Sequence, residues 1–118
     1  MSTLSVGTIK SASSAAPVFQ NSSGTEKGKL VFAWVNFNTA GDSSINGDFN
    51  VTSITENSGS EYTINFTNAA ANDDYAVIPN ANLESNVWAH TLTTNSYKTS
   101  TGGGLGTQEV HGIVIADQ

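Results

Sequence analysis

KLVFAWVNFN at positions 29–38 and EYTINFT at 61–67 decide how this chain folds. In the first, alternation along a strand puts Leu30, Phe32 and Trp34 on one side and Val31, Ala33, Val35 and Phe37 on the other. A strand apolar on both faces must be covered on both. In the second, Tyr62, Ile64 and Phe66 alternate with Glu61, Thr63, Asn65 and Thr67, the pattern of a strand with one wet face. Between them, FNVTSIT (49–55) carries Phe49 and Val51 in phase, and ENSGS (56–60) is a turn cluster. The stretch 48–67 therefore reads as one antiparallel hairpin. Ile54 falls out of phase with Phe49 and Val51, which predicts a bulge or a strand end there.

The rest of the chain is poor in core material. Of 118 residues, 37% are hydrophobic, while Ser, Thr and Asn supply 42 positions, a balance that favours turns and exposed strand faces. No window repeats apolar residues at helical spacing, and 68–74 has room for one turn at most. YAVIPNA (75–81) has Tyr75 and Val77 in phase until Pro79, which is expected to end central pairing. SNVWAHTLTT (85–94) sets Trp88, His90 and Leu92 against Val87, Ala89 and Thr91. NSYKTST (95–101) is an edge-like strand with Tyr97 inward and Lys98 outward, and GGGLG (102–106) reads as a mobile connection. QEVHGIVIA (108–116) sets Val110 and Val114 against His111, Ile113 and Ile115. Seven or eight strands at this spacing predict an all-β fold, a small antiparallel β-sandwich over 30–118.

Residues 1–29 read as an extended arm. Leu4, Val6 and Ile9 suffice for one short strand, but SASSAAP (11–17) and NSSGTEKGK (21–29) are small and polar. So little apolar area cannot offset the ordering entropy, so the arm is expected either to be disordered alone or to order against a neighbouring subunit or a partner. It holds three of the four lysines and one acid, about +2, whereas the remainder carries about −8 of the net −6. An acidic body without arginine is repelled by phosphate backbones, which argues against nucleic-acid partners and phosphate-handling enzymes. Without cysteine there is no disulfide, thiolate metal site or thiol nucleophile, in keeping with assembly in a reducing cytoplasm. The N-terminus lacks the charged-then-apolar pattern of a cleavable signal and no apolar run is long enough for a bilayer, so a soluble protein without membrane insertion is expected.

The run AWVNFN (33–38) followed by FNVTSITENSGSEYTINFTNAAANDDYAV (49–77) resembles a segment of bacteriophage tail-fibre and related virion proteins, notably those of cyanophages. That family carries wording close to AWVNFNG, FNVSSITDNGTGDYTVNFT and ANYAV. The resemblance covers 30–77, with echoes in PVFQNSSGTEKG (17–28) and NSYKTSTG (95–102). The chain departs from the family at Thr39 and Ala40, where a Gly-rich turn is usual, and at Ala70 and Ala71, where Met and Pro are common. The resemblance implies a virion protein assembled in the host cytoplasm, a homotrimer, and an arm that joins subunits or docks to another virion protein. The arm residues Leu4, Val6, Ile9, Val18 and Phe19, with Trp34 and Phe37 of the two-faced strand, are then the candidates for the oligomer interface. A capsid decoration or head-fibre protein is the alternative, favoured by the absence of shaft repeats.

His90 and His111 stand alone on their strands, and neither brings the three or four converging ligands a metal needs. Asp42, Asn46 and Asp48 lack the spacing of a calcium loop, and Asp73 and Asp74 read as an acidic loop tip. Asp48 and Glu61 are the pair that a hairpin can bring together for glycoside cleavage, but a small sandwich offers no deep groove for them. No G-x-S-x-G setting is present, and GGGLG lacks the Lys and helix of a phosphate loop. The expectation is a non-enzymatic protein without cofactor or metal. Sugar recognition needs an aromatic ring beside polar groups, and Trp88, Asn95, Tyr97 and Lys98 are the candidates for contact with host surface carbohydrate.

Overall fold

The computed structural model describes residues 3–12, 17–82, 86–102 and 109–117. Over them the chain is all-β, with two four-stranded antiparallel sheets packed as a sandwich and a two-stranded ribbon before them. The ribbon pairs β1 (Phe19–Gln20) with β2 (Glu26–Gly28). Asn21 closes its turn by accepting from the Ser23 and Thr25 amides at 3.1 and 2.9 Å. Lys29 then ties the ribbon to the body through ion pairs with Asp117 and Glu26.

The first sheet contains β3 (Ala33–Asn38) and β4 (Ile45–Phe49). The second begins with β5 (Val51–Ser58) and β6 (Glu61–Phe66). The chain returns to the first sheet for β7 (Ala76–Ala81), to the second for β8 (Val87–Thr93) and β9 (Ser96–Thr101), and to the first for β10 (Glu109–Ile115). The strand orders are β4-β3-β10-β7 and β5-β6-β9-β8. The eight sandwich strands agree with the sequence reading.

The core lies between the sheets. Ala33, Val35 and Phe37 of β3 and Val110 and Val114 of β10 face Tyr62, Ile64 and Phe66 of β6 and Tyr97 of β9. Each Val, Ile or Phe among them stabilises the fold by about 1.5–3 kcal/mol through burial. Aromatic rings link the layers edge to face: Phe37 with Tyr62 at 5.4 Å and Phe32 with Phe66 at 5.1 Å. Tyr97 reaches from β9 toward β10, where Gly112 leaves the room: a Cβ there would overlap the Tyr97 hydroxyl and lie 3.3 Å from its Cζ.

Several local expectations are corrected. The hairpin is β5–β6 alone, turning at Gly59 and Ser60, whereas Phe49 belongs to the other sheet and pairs with Trp34. The chain crosses between sheets at Asn50, whose φ is +57°, a region Asn tolerates better than most residues. Asn50 staples the corner: its Oδ1 accepts from the Asn68 amide at 2.8 Å, and its Nδ2 donates to the Phe32 carbonyl at 3.3 Å. Phe32 is buried rather than sharing the face of Leu30 and Trp34, because the regular strand begins only at Ala33. Pro79 stays in register opposite Gly112, which is possible because β7 is an edge strand. Thr91 takes a φ of +48° at a register shift between His90 and Thr93, which turns Leu92 toward the core side with Ala89. The expected irregularity before Ile54 is present as a register shift between Val51 and Ser53. Residues 3–12 contain no strand, and GGGLG lies outside the described residues from 103 on.

Candidate functional site

Each sheet has one outer face, and the two differ in character. On the first sheet, strand register sets Phe49 of β4, Trp34 of β3, Ile113 of β10 and Ile78 of β7 in one row across all four strands. They are 54, 41, 42 and 56% exposed. The next row is Gly47, Asn36, His111 and Asn80, with the Asn46 amide donating to Asn36 Oδ1 at 3.0 Å. The Trp34 ring lies over Gly47, where a Cβ would come within 3.3 Å of it. Leu30, Val31, Trp34, Phe49 and Ile113 line a groove of about 550 Å³ on this face. The row is the largest contiguous run of exposed apolar side chains that the strand register of this sheet sets in line.

Of the residues expected at an oligomer interface, Trp34 lies in this row, and Leu4, Val6, Ile9, Val18 and Phe19 are exposed on the arm. Phe37 does not qualify. It is fully buried between the sheets against Tyr62, because it shares the inward phase of Val35.

The outer face of the second sheet is polar and internally hydrogen-bonded. Glu61 of β6 pairs in register with Ser100 of β9, and Ser100 with Trp88 of β8, while Thr63, Lys98 and His90 form the next row. Lys98 sits diagonally from Glu61 and donates from Nζ to its Oε1 at 2.8 Å. His90 Nε2 is 2.8 Å from Ser100 Oγ and 3.6 Å from Glu61 Oε2, and its Nδ1 is 2.9 Å from Thr91 Oγ1. The Lys98 hydrogen bond holds the Glu61 carboxyl below the usual carboxylate range. Further along, Asn57 donates to Thr63 Oγ1 at 2.7 Å, and Asn65 to Ser53 Oγ and Thr55 Oγ1 at 3.1 Å each. Trp88, half exposed, flanks the Glu61–Lys98–His90–Ser100 cluster.

The carbohydrate candidates thus separate. Trp88 and Lys98 share this face. Asn95 lies in the turn between β8 and β9, and Ser96 to Ser100 spans roughly 13 Å of strand, which puts it far from Trp88. Tyr97 is no surface residue: it is buried, and burial pushes its phenol well above the usual range. Its parity is inward because Lys98 is outward. The sequence reading takes up Glu61 only as a partner for Asp48 and His90 only as a metal ligand, and Ser100 carries no local signal. Strict alternation in EYTINFT already turned Glu61 to solvent, but the neighbourhood of β6 and β9 is a matter of topology.

Asp48 and Glu61 lie in different sheets, so they do not form a pair across a hairpin. His90 and His111 are on opposite outer faces. Among the described residues, no three of His, Asp and Glu gather at metal-binding distance. Compared with known protein families, curated proteins and solved structures, the chain matches none. The functional reading therefore rests on the two faces. A carboxylate held by an ammonium offers acceptors and donors to adjacent hydroxyls, and the indole beside it offers a flat apolar surface.

Proposed function

We propose that the chain is a non-enzymatic structural protein of a bacteriophage virion: a trimeric, tail-fibre-type module, attached through its N-terminal arm and touching host surface glycan. One observation carries this reading, the opposed character of the two outer faces. The Phe49–Trp34–Ile113–Ile78 row suits burial in an assembly, and the Trp88 face, polar and ordered, suits a hydroxyl-rich ligand in water. A sheet face offers a sugar a shallow contact, so each such contact is weak, and several copies on one particle supply avidity. The resemblance of 30–77 to tail-fibre segments adds the virion setting.

Two measurements test it. Purified protein added to host cells should block adsorption of the phage that encodes it, and Trp88→Ala should not; equal blocking by both, or by neither, refutes the glycan contact. Labelled antibody on intact particles should decorate the tail. Label spread over the shell would instead establish capsid decoration.

A further inference from the structure

We infer that the groove on the first sheet receives the N-terminal segment, residues 3–12, of a second copy of this chain. The inference rests on the reading of the protein as a self-associating module and names the contact. Shape is the first argument. The Leu30–Val31–Trp34–Phe49–Ile113 surface is an open apolar depression of about 550 Å³, along which an extended segment can lay its side chains.

Side-chain chemistry is the second. Leu4 and Val6 are two residues apart, so in an extended segment they point the same way, and Ile9 lies out of phase beyond them, at the margin of the contact. In their own chain they are 79, 51 and 59% exposed, so that chain's own arm does not occupy its groove. Charge is the third. Residues 3–12 carry Lys10 and no acid, while the body holds nine of the ten acids, so two copies that repel each other as bodies attract as segment on body. Lys10 follows Ile9 directly, which sets one cation beside the apolar residues of the segment. The Phe49–Trp34–Ile113–Ile78 row itself contains no charged residue, so no ion has to be buried on docking.

The chain has no cysteine, which permits a direct test in the full-length protein. Val6→Cys and Ile113→Cys chains of distinguishable mass are mixed and treated with a short bismaleimide. The expected product is the mixed Val6→Cys/Ile113→Cys dimer, its yield rising with concentration. That yield should fall at least tenfold when Leu4→Ser and Ile9→Ser are added to the Val6→Cys chain. Circular dichroism establishes that each variant is folded, and Phe49→Cys, on the edge strand, replaces Ile113→Cys should the latter fail. Ile113→Cys chains linked only to each other would mean that the sheets pack face to face. A chain carrying both cysteines and linked only within itself would mean that each arm folds back. Either result overturns the inference. An oligomer seen by light scattering without the mixed link sinks the arm contact and leaves the self-associating module standing. A monomer of 12.3 kDa at every concentration sinks both.

Discussion

Gly112→Ala is the sharpest test of how the two sheets face each other. Gly112 sits mid-strand in β10, opposite Val35 on one side and Pro79 on the other, and it is buried. A methyl group there would overlap the Tyr97 hydroxyl and lie 3.7 Å from Val35 Cγ1. Tyr97 cannot simply swing away, because its ring is buried and tilted against Phe66 at 6.0 Å. Overpacking of this kind costs about 1–3 kcal/mol. Replacing a strand glycine by alanine returns roughly 0.5–1 kcal/mol by easing the backbone-entropy loss, and the overlap with the Tyr97 hydroxyl puts the overpacking in the upper half of its range, so the net loss should be about 1–2.5 kcal/mol. For a domain of this size that corresponds to a fall in Tm of roughly 4–10 °C. Tyr97→Phe removes the colliding oxygen, and the double variant should then melt within about 2 °C of Tyr97→Phe alone. Thermal unfolding followed by circular dichroism supplies all four values. A Gly112→Ala protein as stable as the parent, or one that Tyr97→Phe fails to rescue, would show that β9 and β10 do not meet across the core as described.

The Asn50 corner, the tyrosines and the Trp88 face supply further tests. Asn50→Ala should destabilise by about 2 kcal/mol, through a positive φ without Asn and lost hydrogen bonds to Asn68 and Phe32, whereas Asn50→Gly should recover only the backbone share; identical urea midpoints for the two variants would contradict this. Burial raises the phenol pKa of Tyr62, Tyr75 and Tyr97 above the ordinary 10.0, Tyr75 to about 12. Unfolded tyrosines lose their protons first, so this contribution is complete below pH 10 and disappears as the pH rises toward 12. Tyrosinate absorbance should therefore appear late and together with loss of the β signal, and a gradual titration centred on pH 10 would count against the core placement. Trp88→Ala, at a half-exposed position, should shift Tm by no more than about 5 °C while removing adsorption blocking; a collapse of the fold would assign Trp88 to packing instead.

Strand parity carried most of the fold that could be read in advance, because antiparallel strands with one wet face write their burial into alternate residues. β6 is the clearest case: EYTINF alternates half-buried and fully buried positions without exception, as EYTINFT predicts. The same holds for Val110 and Val114 against Ile113 and Ile115 in β10. Parity is blind, however, to a chain that changes sheets. Phe49 and Val51 are two apart and in phase, yet Phe49 points outward from the first sheet and Val51 inward from the second. The only local sign of that corner was Asn50, a residue at ease with positive φ, and FNVTSIT offered nothing to set it apart from a strand residue. Thr91 was illegible for a related reason, since a β-branched residue at positive φ is held there by its surroundings and not by its own preference.

The site was legible one residue at a time and illegible as a constellation. Outward parity for Lys98 and Glu61 followed from the alternation around Tyr97 and Tyr62, but their salt bridge joins residues 37 positions apart through the β6–β9 pairing. No local pattern encodes that pairing. The apolar row arises in the same way: Trp34, Phe49, Ile78 and Ile113 come from four strands, and only the order β4-β3-β10-β7 brings them into line. A core needs apolar residues on the inner faces alone, so the monomer's own packing does not require this row. The sandwich closes over Tyr62, Ile64, Phe37 and Val110 without it. Four large side chains about half exposed, one per strand and all at the same level of the sheet, cost solubility and contribute less to the isolated fold than they would if covered. Their alignment is therefore the physical reason to look for function in assembly.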